Sequence, residues 1–382
     1  MGELFNFYIP AQVHFGAGCC LSALQASKEL LDRNVLLVTT GRSLWRLGYI
    51  DSLLEDVKKV KTKGELLIWD KISANPQLSE VEEAVRYGIM HGIKAVIGFG
   101  GGSAMDAAKA IAAGIGCGCS IEDMLFHGQS PSEAALPVIA VPTTAGTGSE
   151  LSKGAIISCA ERHFKGGIRG EHILPRVAIV DPVFTYGVPY QVTMETGFDV
   201  LAHAIESYVS RKATWFSRML SRECIVIVGK YLPALTASLE DREARDKMAY
   251  ASMLMGINLA SVGTALPHRI QYPVGAHTDT SHGAGLLALY PAWLEAEYEC
   301  AADELSDVLF WLAGRRCTCK HDVLQAFEQF IDSLGVRKIL SSLGIDEAQV
   351  KILAGEVTGN IANDMAARQD GVIEHIYRAA LK

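Results

Sequence analysis

AVIGFGGGSAMDAAKAIAA, residues Ala95 to Ala113, passes from a strand pattern to a helix pattern through a run of glycines. Ala95–Phe99 is short, apolar and rich in β-formers, and Ser103–Ala113 is an alanine-rich helical stretch. Gly100, Gly101 and Gly102 between them let the backbone come close to a ligand. The start of the following helix offers unpaired N–H groups and a positive dipole end, which suit a phosphate. Ser103 is placed to cap that helix, with Asp106 three residues on. The turn is not a P-loop, having no GKS or GKT, nor is it the G-x-G-x-x-G turn that follows a first strand. A tight strand-to-helix turn is also an ordinary structural need of α/β proteins.

Outward from this turn the first half alternates. Val35–Thr39, Leu66–Trp69, Val138–Val141 and Val177–Asp181 read as strands, and Ser79–His91 as a helix with acids in its first turn. Such alternation implies a mostly parallel sheet with helices on both faces. Strand 138–141 runs into Pro142-Thr143-Thr144-Ala145-Gly146-Thr147-Gly148-Ser149-Glu150, a loop of hydroxyls and glycines. It lies at the carboxyl end of a strand, where open α/β sheets bind ligands. The plainer alternative is a turn capped by Thr147 or Ser149. From about Gln191 onward the patterns are helical, at 191–210, 215–230, 242–260, 302–313, 321–334 and 347–355. The change near 183–190 predicts two domains, 1–185 and 186–382.

With 382 residues, 49% of them hydrophobic and 20% charged, the chain is long enough for two cores and too apolar to be disordered. The net charge of −8 argues against non-specific nucleic-acid binding. No signal-peptide pattern and no long apolar run is evident, so we expect no membrane partner and a cytoplasmic location. Nine cysteines, without a C-x-x-C, read as free thiols.

Asp199 and His203 lie four apart in GFDVLAHAIESYVS (197–210), hence one turn apart on one face of a helix. His268 and His282 bracket a loop-like segment, 267–283. One carboxylate and three imidazoles suit Fe2+ or Zn2+. The spacing alone is also met by any buried helix with an Asp and a His.

Taken together these segments resemble the iron-dependent (group III) alcohol dehydrogenases, of the dehydroquinate synthase-like superfamily. GGGSAMDAAKAIA (100–112) is similar to the family's pyrophosphate turn, and PTTAGTGSE (142–150) to its second nucleotide loop. Asn75-Pro76 resembles its Asn-Pro before a helix, and Lys165 with LPRVAIVDP (174–182) the stretch whose lysine reaches the cofactor ribose. FDVLAHAIESYVS (198–210), His268 and Ser281-His282-Gly283 fall on its metal-ligand motifs. The resemblance implies an N-terminal Rossmann-like α/β dinucleotide-binding domain and an all-α C-terminal domain, with cofactor and metal in the cleft between them. It implies reversible hydride transfer between a small alcohol or aldehyde and NAD or NADP, in a homodimer or larger homo-oligomer. The cofactor would lie on Thr40, Gly41, Asn75, Gly100, Gly101, Gly102, Ser103, Asp106, Thr143, Thr144, Thr147 and Lys165.

The chain departs from the family pattern in places. Where many members carry a second histidine four residues beyond the third ligand, this chain has Tyr272. Tyr272 and His277 are the candidates for proton transfer, although a tyrosine with the usual pKa near 10 is a poor unaided base. Arg269 directly follows a ligand, where a small residue is common. It is either an ordinary paired arginine or, with Thr278 nearby in sequence, a binder of an anionic substrate tail such as sulfonate, phosphonate or carboxylate. Thr39-Thr40-Gly41-Arg42-Ser43 lacks the acid that NAD-preferring relatives place near Thr40, which leaves NADP open. Two other readings remain: a dehydroquinate-synthase-like metal-dependent lyase, and a non-catalytic nucleotide-binding relative.

Overall fold

A computed structural model describes residues 5–382, which divide into two compact units, Ile9–Val188 and Pro189–Lys382 together with residues 5–8. The first is a doubly wound α/β unit. Its strands are β1 (Gln12–Phe15), β2 (Val35–Thr40), β3 (Leu66–Ile72), β4 (Ala95–Gly100), β5 (Val138–Pro142), β6 (Gly154–Cys159), β7 (Phe164–Arg169) and β8 (Val177–Val180). Six of them form one sheet in the order β1-β8-β5-β4-β2-β3, parallel throughout. Alternate side chains serve opposite faces. Val35, Leu37, Ile97, Phe99, Ile139 and Val141 enter one core, and Leu36, Val38, Val96 and Val138 the other.

The chain leaves β2 toward β3 on one side and returns to place β4 on the other. The strand order therefore reverses between β2 and β4, the place where open parallel sheets hold ligands. The helices α1 (Tyr49–Val60), α2 (Leu78–Met90) and α3 (Gly102–Cys117) supply crossovers. Every residue of α3 from Ala104 to Gly114 is buried. Its methyl-sized side chains let it lie close on the sheet, where a Cβ at Gly98 would stand 2.8 Å from Ala108 Cβ. The remaining strands, β6 and β7, form a separate antiparallel hairpin. The sequence reading does not anticipate this hairpin, because Gly166-Gly167 breaks the apolar alternation that marks a strand.

The second unit contains no strand among the described residues. Its principal helices are α4 (Tyr190–Val209), α5 (Trp215–Ala237), α6 (Arg242–Ser261), α7 (Leu266–Thr278), α8 (His282–Ala313, bent at Ala301) and α9 (Lys320–Ser333). The helix α4 is central, packed by α5, α6 and α8 and buried at nearly every position from Thr193 to Val209. Phe5 and Phe7 rest on Phe216 of α5, with ring centroids 6.0 and 4.7 Å away. Among the described residues no single helix is long and apolar enough to cross a membrane.

Residues 267–283, expected as a loop, are mostly the helix α7. Pro267 occupies its first turn, where a missing N–H breaks no intrahelical bond. Pro273 removes one bond, and burial of Leu266, Ile270 and Val274, spaced four apart on one face, offsets that loss.

Candidate metal centre and nucleotide turns

The helix α4 presents Asp199 and His203 from successive turns, α7 presents His268, and the first residue of α8 is His282. Asp199 Oδ1 is 3.3 Å from His268 Nε2, 3.6 Å from His282 Nε2 and 3.7 Å from His203 Nδ1. Asp199, His268 and His282 each bring one ligand atom within 4.8 Å of the others. The His203 ring stacks on His268, centroids 4.3 Å apart. Asp199 and His268 are both 2% exposed. A buried carboxylate oxygen and converging imidazole nitrogens, with His282 at the more exposed side, are a donor set that fits a divalent N/O-preferring metal.

Two further residues aim these rings. Glu206 Oε1 lies 2.7 Å from His268 Nδ1, while its Oε2 accepts the Ala265 N–H at 2.7 Å. Gln271 Oε1 lies 2.6 Å from His282 Nδ1. With each Nδ1 engaged, each Nε2 faces Asp199, an arrangement that fixes tautomer and orientation around a metal. The sequence reading omits Glu206, although it sits three residues past His203 and seven past Asp199, on the same helical face. Gln271 likewise positions His282. The start of α8 is fixed by Ser281, whose hydroxyl donates to Glu195 Oε2 at 2.6 Å and accepts the Ala284 N–H at 3.2 Å.

Burial pushes the Asp199 carboxyl up, but the facing imidazoles outweigh it and hold the group well below the usual carboxylate range. Burial pushes the His268 imidazole down. Glu206 and Asp199 outweigh burial and raise it to about 10.

In the α/β unit the register pairs Gly98 with Ala140 and Gly100 with Pro142. The two loops that follow these strands therefore leave the sheet side by side, joined by Thr143 N–H to Gly100 O at 2.9 Å. A Cβ on Gly101 would meet Thr144 Oγ1 at 3.4 Å, and one on Gly102 would fall 2.7 Å from Thr147 Cγ2. Gly100, at φ +153°, lies 3.6 Å from Thr40 Oγ1 by the same measure, and Gly41 is left-handed at φ +58°. Thr40, Gly41, Gly100, Gly101, Gly102, Thr143, Thr144 and Thr147 thus gather at the carboxyl ends of β2, β4 and β5. The glycine cradle has backbone room that any side chain would fill. Lys165 Nζ donates to Asn75 Oδ1 at 2.8 Å, joining two candidates far apart in sequence.

Two expectations here need correction. Ser103 does not cap α3; Gly101 holds that position, and the Ser103 hydroxyl donates to Ala74 O. Asp106 turns inward: one oxygen accepts from Ser149 Oγ and the other accepts the Ile156 N–H at 2.8 Å. The fully buried Lys109 lies 3.1 Å from Asp106 and donates to Ser149 O at 3.0 Å. Asp106 with Lys109 is therefore the brace of the second loop, and a carboxylate so occupied has no call on a phosphate. Burial lowers the Lys109 ammonium. Glu150, also buried, is pushed up to about 7 by loss of water, with Lys109 opposing.

Tyr272 is 6% exposed, its ring 6.4 Å from that of His282. Arg269, on the same helix, donates from Nη1 to Tyr272 Oη at 3.3 Å. His277 Nε2 lies 2.7 Å from Glu356 Oε2. Thr278 Oγ1 is engaged with Val274 O at 2.7 Å and with Thr280 Oγ1 at 2.6 Å, as part of the end of α7.

Comparison with known proteins matches residues 10–182 to the iron-containing alcohol dehydrogenase family and residues 193–381 to the C-terminal domain of Fe-containing alcohol dehydrogenases. Alcohol dehydrogenase 4 of Schizosaccharomyces pombe is 31% identical over 350 residues, covering 91% of this chain and 82% of that protein. The NAD-dependent methanol dehydrogenase of Bacillus methanolicus is 29% identical, covering 91% and 92%. Sulfoacetaldehyde reductase from Bifidobacterium kashiwanohense, solved in complex with NAD+, superposes with a TM-score of 0.87 over 100% of both chains at 26% identity.

Proposed function

This chain belongs to the iron-containing alcohol dehydrogenase family, and from that premise we propose that it is a metal-dependent, NAD(P)-linked alcohol dehydrogenase working as an aldehyde reductase. The observation that carries this reading is the buried Asp199 carboxylate faced by His203, His268 and His282, two of whose rings are turned toward it by Glu206 and Gln271. These four side chains would hold one Fe2+ or Zn2+. Such a cation, when bound, polarises a carbonyl and stabilises the negative oxygen that hydride addition creates. The nicotinamide cofactor supplies or receives the hydride.

The chain's own residues do the rest. Gly100, Gly101 and Gly102 offer the start of α3 to a pyrophosphate, and Thr143, Thr144 and Thr147 wall that turn with hydroxyls. Lys165, held by Asn75, is a ribose donor on this reading. Thr40 to Ser43, with no acid among them, leave both NAD and NADP admissible. Glu206 keeps the His268 Nε2 lone pair pointed inward. His277 is the candidate to move the proton that accompanies hydride transfer, with Glu356 at its Nε2 as the group that restocks it. The substrate is a small aldehyde, with anionic-tailed ones included. The sulfoacetaldehyde reductase neighbour supports that breadth. The reading includes a homo-oligomer acting in the cytoplasm.

The test is a spectrophotometric screen of short aldehydes, neutral and charged, with NADH and NADPH. It uses protein stripped by chelation and reloaded with Fe2+ or Zn2+. Metal-restored oxidation of reduced cofactor is expected. Reloaded protein that binds neither ion and oxidises neither cofactor would leave the non-catalytic alternative standing.

A further inference from the structure

Arg269 is 6% exposed, and its only hydrogen bond among the described residues is to the Tyr272 hydroxyl. Its guanidinium lies 5.6 Å from the Tyr272 ring centroid. Nε is buried without a partner, and no carboxylate among the described residues pairs with the group. Gly359, at φ +87°, shelters the stem so closely that a Cβ there would stand 3.3 Å from Arg269 Cδ and 3.4 Å from Nε. A guanidinium cannot shed its charge at any physiological pH. Burying it without a counter-charge costs several kcal/mol. The fold thus holds a desolvated cation whose natural partner is an anion from outside the chain.

Its place says which anion. Tyr272 neighbours both groups: its hydroxyl accepts from Arg269, and its ring centroid is 6.4 Å from that of His282, a metal-ligand candidate. Because Arg269 donates to the Tyr272 oxygen, the phenolic hydrogen is left to donate elsewhere. Resting on the reductase reading, we propose that Arg269 and Tyr272 form the recognition site for the anionic end of a short aldehyde substrate. A single guanidinium balances a single negative charge, so a sulfonate or carboxylate suits it better than a doubly charged phosphonate. Tyr272 is then a specificity residue rather than the proton carrier.

The test compares two aldehydes of equal length, one ending in a sulfonate and one in a methyl group, on metal-loaded wild type, Arg269→Met, Arg269→Lys and Tyr272→Phe. Wild type should favour the sulfonate by kcat/KM. That ratio should fall about 100-fold in Arg269→Met, the size expected when a buried charge loses its partner. Arg269→Lys should restore part of it, and Tyr272→Phe should lose about tenfold, the scale of one hydrogen bond. A ratio that favours the methyl compound, or that Arg269→Met leaves unchanged, overturns the proposal. A second measurement needs no turnover: propanesulfonate should raise the melting temperature of wild type and not of Arg269→Met. Arg269→Met without ligand should melt no lower than wild type, because it removes an unpaired buried charge. A marked loss of stability would make Arg269 structural and end the idea. Protein that reduces neither aldehyde but is stabilised by propanesulfonate through Arg269 would sink the reductase reading and keep the anion site.

Discussion

At His268 burial and charge oppose each other, and charge prevails. Glu206 and Asp199 hold the imidazole protonated up to about pH 10 in the metal-free protein. A metal ligand must be the neutral ring, so a cation has to displace that proton. Binding of Zn2+ at pH 8 should therefore release close to one proton from this residue, read as a dependence of calorimetric heat on buffer ionisation enthalpy. Buffer-independent heats would contradict it. The sign for stability follows from the same shift. A folded-state value above the ordinary 6.5 stabilises the metal-free fold below about pH 6.5, and the contribution is lost as pH rises through about 10. Glu206→Gln keeps the shape but weakens the pull on Nδ1. It should cost about 10- to 100-fold in metal affinity by chelator competition, whereas an unchanged affinity would remove Glu206 from the site.

At the scale of elements, β4, the glycine turn and α3 act as one piece with the loop after β5. Within that piece a Cβ on Gly102 would stand 2.7 Å from Thr147 Cγ2. Gly102→Ala should raise the dissociation constant for NADH by about tenfold or more, equivalent to about 1.4 kcal/mol, and Thr147→Ser should recover part of the loss by removing the methyl in the way. Fluorescence titration of cofactor binding reads both. Lys109 braces the same loop from below. Lys109→Met leaves Asp106 as a buried charge without its cation, a change that should destabilise the protein by about 3–5 kcal/mol in urea unfolding. Full stability in that variant would mean that Asp106 is satisfied by Ser149 and Ile156 alone. Much of this was legible in the sequence, because glycines and hydroxyls at strand ends are written locally. The brace was not, since an aspartate near the start of a helix looks the same whether it faces a ligand or the core.

Across the whole molecule, the proposed function assigns the metal to the second unit and the cofactor turns to the first. A ligand stabilises the state it binds by mass action. Removing metal by chelation should increase hydrogen exchange in 190–209 and 266–282 while leaving 95–117 unchanged. Adding NADH to the stripped protein should protect 98–103 and 142–150. Exchange that rises uniformly through both units on chelation would contradict separate ligand sites. Of the two buried arginines among the described residues, Arg245 bonds Leu239 O and Thr193 Oγ1, and Arg269 is the one that the proposed anion site would use.

The sequence by itself determined the parallel α/β unit, the helical second half and the placing of the glycine- and hydroxyl-rich turns at strand ends, and it named four candidate metal ligands. Strand and helix periods, glycine runs and the four-residue spacing of Asp199 and His203 are properties of neighbours along the chain. Only the tertiary structure decided that 266–278 is a helix, since burial of Leu266, Ile270 and Val274 had to outweigh two prolines. It alone paired Glu206 with His268 and Gln271 with His282, sent Asp106 inward, and left Arg269 buried with no carboxylate among the described residues. Those outcomes depend on which side chains share a dry space. Desolvation, which sets the energy of a charge, belongs to the folded surroundings and not to the order of residues.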